Sequence, residues 1–141
     1  MVLTSDTEQK IELLASLSSD YIKKDLYDTH IEGVDKFFAI LRILANQVGE
    51  LVNMKEIANT LELDVRTVEK YLYIMKKSYS LALVKPFWTN VRAELIKMPK
   101  VFFFDLGLRN AFLNDFKMIT ERIDKGKYFE NLVWREFVLK Y

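Results

Sequence analysis

The sequence predicts a mainly α fold carrying one small β-hairpin, and three observations lead there. Four glycines and two prolines occur in 141 residues. Both prolines, Pro86 and Pro99, come late, so most of the chain before Tyr79 is free of helix breakers. Apolar residues in that stretch recur at three- and four-residue spacing, the period of an amphipathic helix. From Leu81 the period changes, and "LALVKPF" and "LIKMPKVFFF" read as short strands.

The elements follow in order. "TEQKIELLASLSSDYIKKDLYD" places Ile11, Leu14, Ala15 and Leu17 on one helical face and continues it with Tyr21, Ile22 and Leu26, before a linker "THIEG" that contains His30. "VDKFFAILRILANQVG" repeats the pattern with Phe37, Phe38, Leu41, Leu44, Ala45 and Val48, and Gly49 is placed to stop it. In "NMKEIANTLEL", Asn53 predicts an N-cap and Glu56 a reciprocal partner, followed by apolar Ile57, Ala58 and Leu61. Asp64 is available to cap the next helix, where Val68, Tyr71, Leu72, Met75 and Tyr79 predict a buried stripe. "WTNVRAE" connects the two strands, which the prolines keep short or at an edge. "DLGLRNAFLNDF" and "DKGKYFENLVWREFVLKY" predict two last helices joined around Gly126.

Composition narrows the function classes. A hydrophobic fraction of 50% and an aromatic fraction of 13% suffice for one packed domain or two small ones. The chain contains no cysteine, which excludes disulfides, zinc–thiolate sites and cysteine nucleophiles and makes a reducing cytoplasm the expected setting. One histidine, His30, leaves no basis for a His-rich metal site. No apolar run approaches the roughly 20 residues of a membrane helix, and "MVLTSDTEQK" lacks a signal-peptide core, so a soluble chain with no membrane partner is expected. Trp88 and Trp134 read as core. Asp105, Asp124, Glu130 and Glu136 are too scattered to hold a metal and read as surface charges, and no GxxxxGK[ST] loop is present to cradle nucleotide phosphates.

The net charge of +1 conceals an asymmetry. Residues 1–53 carry 5 basic and 9 acidic side chains, residues 54–100 carry 9 and 5, and residues 101–141 carry 7 and 6. The basic middle block coincides with a helix, a short capped helix, a three-residue turn, a longer helix and a hairpin, which is the order of a winged helix-turn-helix. Ala58 permits close packing within the helix pair, and Leu63 points inward from the turn. The second helix, residues 65–79, is then a recognition helix whose solvent face holds Arg66, Thr67, Glu69, Lys70, Tyr73, Lys76 and Lys77. Lys55, Lys85, Arg92, Lys97 and Lys100 are placed to track a DNA backbone, while Glu69 either reads a cytosine amino group or repels phosphate. The alternative is a solvated or protein-covered face in an interdomain scaffold.

Several segments in one order, "YIKKDLYD", "LANQVGELVNMKEIANTLELDVRTVEKYL", "KPFWTNVRAELIKMPKVFFFDLGLRNAF" and "GKYFENLVWREF", resemble the C-terminal region of prokaryotic AAA-type P-loop ATPases. In that group an ATPase module precedes a winged helix and a domain of unknown function resembling the restriction-endonuclease, or PD-(D/E)XK, fold. The likeness runs from about Tyr21 onward. It places Lys100, Asp105, Gly107 and Leu108 on the family's Lys-Pro-Lys strand and Asp-x-Gly-Leu element, and Gly126 and Glu130 on its G-x-x-x-E-N element. The resemblance implies three regions: an N-terminal helical segment (1–33), a winged helix-turn-helix (34–104) and the helical start of a truncated nuclease-like domain (105–141). It implies a fragment with no catalytic residue, cofactor or metal of its own, ATP and Mg belonging to the parent's ATPase module, and Glu130 a packing carboxylate. The expected function is a non-catalytic DNA-binding or regulatory module. The rivals are an interdomain scaffold and one part of a nuclease that is incomplete in this chain. Expected partners are double-stranded DNA, the ATPase module, and a second copy through the last helix. There Phe129, Leu132, Val133, Trp134 and Phe137 lie at helical spacing and predict packing back on the winged helix or a dimer contact.

Overall fold

The centre of the core is the apolar face of α2 (Val34–Asn46), whose Phe37, Ile40, Leu41, Leu44 and Ala45 are all buried. The computed structural model describes residues 7–28, 33–86 and 98–141. The other helices are α1 (Thr7–Asp28), α3 (Met54–Leu61), α4 (Val65–Lys77), α5 (Leu106–Leu113) and α6 (Lys125–Lys140), with a 3-10 turn at Ile119–Glu121. A two-stranded antiparallel sheet, β1 (Leu81–Val84) and β2 (Lys100–Phe103), completes the elements in the register Leu81↔Phe103 to Val84↔Lys100. The structure is therefore mainly α with one small sheet. No described helix is long and apolar enough to cross a membrane.

Local chemistry sets the boundaries of the helix pair. Asn53 Oδ1 accepts the Lys55 and Glu56 N–H groups at 3.2 and 3.3 Å. The expected return bond from Glu56 is not formed, so the cap is one-sided. Between α3 and α4, Leu63 N–H donates to Ala58 O at 2.9 Å and Glu62 N–H to Asn59 O at 3.4 Å, a Schellman closure. It requires Glu62 to adopt φ 53, a left-handed conformation that costs a non-glycine residue about 1 kcal/mol. Asp64 Oδ1 then accepts Arg66 N–H at 2.8 Å and starts α4. Ala58 is buried against α4, and Leu63 packs at the edge of the core, as their positions in the sequence predict.

Three expectations are corrected. Tyr79 does not extend the buried stripe of α4. The helix ends at Lys77 with Ser78 as its C-cap, and Tyr79 turns out at φ 53 with 75% of its surface exposed. Gly126 is no joint between helices: it lies in the first turn of α6 with open space where a Cβ would stand. Nor does Gly49 stop α2, which closes earlier on the Gln47 N–H to Ile43 O bond. Its φ of 77 instead turns the chain along β2, and a Cβ there would stand 2.8 Å from Glu130 Oε2. His30, Trp88, Arg92, Lys97 and the connection "WTNVRAE" lie outside the described residues.

The turn at Gly49 produces a stretch that the sequence did not announce. Gly49 N–H donates to Val101 O at 2.8 Å, Val101 N–H to Glu50 O at 3.3 Å, and Val52 N–H to Pro99 O at 2.8 Å. Leu51 bridges Lys100 in antiparallel sense, so β2 runs between β1 and residues 49–52. Further along that edge, the Asn131 side-chain amide of α6 takes both backbone groups of Phe103. Its Oδ1 accepts Phe103 N–H at 2.7 Å, and its Nδ2 donates to Phe103 O at 2.8 Å. Asn131 is wholly buried, and next to it Trp134 stacks on Phe102 with ring centroids 5.0 Å apart. α6 therefore packs back on the sheet through Asn131 and Trp134. Phe129, Val133 and Phe137 point away and are more than half exposed.

Candidate functional site

α4 divides its outward side into two ridges. Arg66, Lys70, Tyr73 and Lys77 follow at spacings of four, three and four residues, opposite the buried Val68, Tyr71, Leu72 and Met75, and all four are exposed. None of their cationic groups is ion-paired with a described residue, and Lys77 Nζ lies 5.7 Å from the Tyr73 ring centre. Thr67 is half-buried at the start of the helix, where its N–H donates to Asp64 O at 3.0 Å.

The second ridge, Val65, Glu69 and Lys76, turns toward the sheet and lines a cleft of about 550 Å³. The start of α3 contributes Met54 and Lys55, β1 and the residue after it contribute Leu83 and Lys85, and the approach to β2 contributes Met98 and Pro99. The lining is mostly apolar and includes three ammonium groups and one carboxylate, none ion-paired with a described residue.

The residues that carry the resemblance form a structural joint. Lys100 Nζ lies 2.9 Å from Glu130 Oε1, and both side chains are about half exposed. A second ion pair, Lys127 to Glu50, ties the start of α6 to the stretch along β2. Asp105 caps α5, its Oδ1 accepting Gly107 and Leu108 N–H at 2.7 and 3.3 Å.

Sequence reading missed the buried charge cluster behind this joint. Arg109 donates through Nε to Ala45 O at 2.8 Å and through Nη2 to Asp124. Arg122 donates to Asp124 Oδ1 and to Asp115 O, each at 3.0 Å. Both guanidinium groups are buried, with the Tyr128 ring centre 4.6 Å from Arg122 and 5.8 Å from Arg109. Asp124, expected at the surface, is thus the shared anion of two arginines. Burial alone would raise its carboxyl pKa, but the hydrogen bonds and charges of Arg122 and Arg109 outweigh that and hold it below the ordinary carboxylate range. Among the described residues, no group of three or more His, Asp or Glu side chains could hold a metal ion.

Comparison with known proteins gives a family whose description assigns no function. Residues 1–118 match the family described as a domain of unknown function (DUF8612), and the chain belongs to that family. It is 24% identical over 110 residues to the uncharacterized protein MJ1637 of Methanocaldococcus jannaschii. The matched region is 78% of this chain and 23% of that relative. No solved structure gives a significant match.

Proposed function

We propose that the chain is a non-catalytic, duplex-DNA-binding winged-helix module of a larger protein. The observation that carries this reading is the first ridge of α4: three cations with no ion pair to a described residue, and a tyrosine, on one exposed face, presented by a helix that a tight turn holds against α3. The order along the sheet supports the winged-helix assignment, because a short stretch between the first helix and the helix pair lies beside the last strand, with the strand after α4 on the other side. In this reading Arg66 and Lys70 enter the major groove near the start of the recognition helix, and Lys77 meets phosphate. The larger protein is an AAA-type ATPase carrying its own ATP and Mg. The motif order supports that origin, and the relative's greater length is compatible with it.

The test is fluorescence anisotropy with a random-sequence duplex at several salt concentrations. Binding weakens as salt rises. Arg66→Glu with Lys70→Glu abolishes it, and neutralising the two lowers the salt slope by about 2. No salt-sensitive binding at micromolar protein would overturn the proposal. The exposed Phe129, Val133 and Phe137 of α6 favour a second role, contact with the parent's other domains or with a second copy.

A further inference from the structure

We infer that the cleft between α4 and the sheet binds a single guanine nucleotide, a site distinct from the duplex-facing ridge. Three properties of the cleft select this ligand. Lys55 of α3, Lys76 of α4 and Lys85, just after β1, outnumber the single carboxylate of Glu69, so a dianion neutralises the cleft. The lining includes Met54 and the part-exposed Met98, whose thioethers are favourable neighbours for a flat aromatic ring. Glu69 supplies two acceptor oxygens and no donor when ionised. Guanine is the common base with two adjacent donors on one edge, N1–H and the 2-amino group, and it meets a carboxylate in a bidentate pair.

A nucleoside monophosphate therefore satisfies the site in full: phosphate on the lysines, base over the methionines, Watson–Crick edge on Glu69. The volume of about 550 Å³ lies within the range of small-ligand pockets. That edge is free in a mononucleotide and in an unpaired guanine of a nucleic-acid strand, and closed in a base pair. The cleft thus takes one of these two sources and not the duplex.

Methyl-labelled methionine spectra of the whole chain decide the matter. GMP shifts the Met54 and Met98 resonances, while AMP and inorganic phosphate at the same concentration leave them in place. Lys76→Gln weakens GMP binding about fivefold or more, and Glu69→Gln removes the preference for GMP over AMP. A thymine strand with one central guanine, compared with an all-thymine strand, identifies the source: binding by GMP but not by the guanine strand marks a free-nucleotide site, and binding by the guanine strand, with or without GMP, marks a site that accepts an unpaired base. Arg66→Glu with Lys70→Glu leaves the GMP shifts intact, which separates this site from the duplex reading. Equal shifts with GMP, AMP and phosphate would overturn the inference. So would no shift with GMP up to roughly 5 mM together with none from the guanine strand.

Discussion

The helix pair and the C-terminal region treat the same kinds of side chain in opposite ways. Along α4 and around its cleft, Arg66, Lys70, Lys76, Lys77, Lys55 and Lys85 stand without an ion pair to a described residue. Between β2 and α6, Lys100, Arg109, Arg122 and Lys127 each hold a carboxylate. A cation that already holds a carboxylate has less left to offer a ligand. One that remains hydrated can release counterions when a phosphate arrives. The difference therefore separates residues that hold the molecule together from those available for binding.

Three experiments sharpen that contrast or break it, the largest effect first. Arg109→Leu leaves Asp124 short of one of its two arginines in a largely buried setting and costs about 3 kcal/mol in urea unfolding. A loss no larger than that of a surface substitution would mean that the cluster is not structural. The second experiment uses acid. Because the folded-state pKa of Asp124 is depressed, its contribution is fully present above the unfolded carboxylate value near 4 and disappears as pH falls through the folded value. The stability gap between the native chain and Asp124→Asn accordingly narrows in acid, and a gap that stays constant from neutrality to pH 3 contradicts the assignment. The smallest effect is expected for Lys100→Gln, which removes a half-exposed pair worth under about 1 kcal/mol. It should lower duplex affinity less than Lys70→Gln does. Equal losses would move Lys100 from the joint to the binding face.

Local chemistry made part of this legible in the sequence. The caps at Asn53 and Asp64, the small residue at Ala58 and the apolar stripe of α4 all act within one or two turns, and each can be read from neighbours in the chain. Tyr79 departs from the stripe because helical spacing carries on past the point where the helix ends, and the left-handed backbone that redirects it has no marker such as glycine. The charge cluster was invisible for a different reason. Arg109 finds its acceptors 64 residues back and 15 residues on, so nothing nearby separates it from a surface arginine. The cleft lies between these cases. Its lysines were evident as charges, but it exists only because Met98 and Pro99 return beside the start of α3.

The amide of Asn131 has a consequence for how the molecule keeps to itself. A short ribbon of two strands normally leaves backbone donors and acceptors open along each side, a template on which the strand of another protein can grow. In β2 both sides are taken, one by β1 and the other by residues 49–52 and then by a side chain imitating a peptide bond. The outer side of β1 is only four residues long and is followed at once by Lys85 and Pro86, a charge and a residue without an N–H. A sheet this small is thereby guarded against recruiting strands from its neighbours.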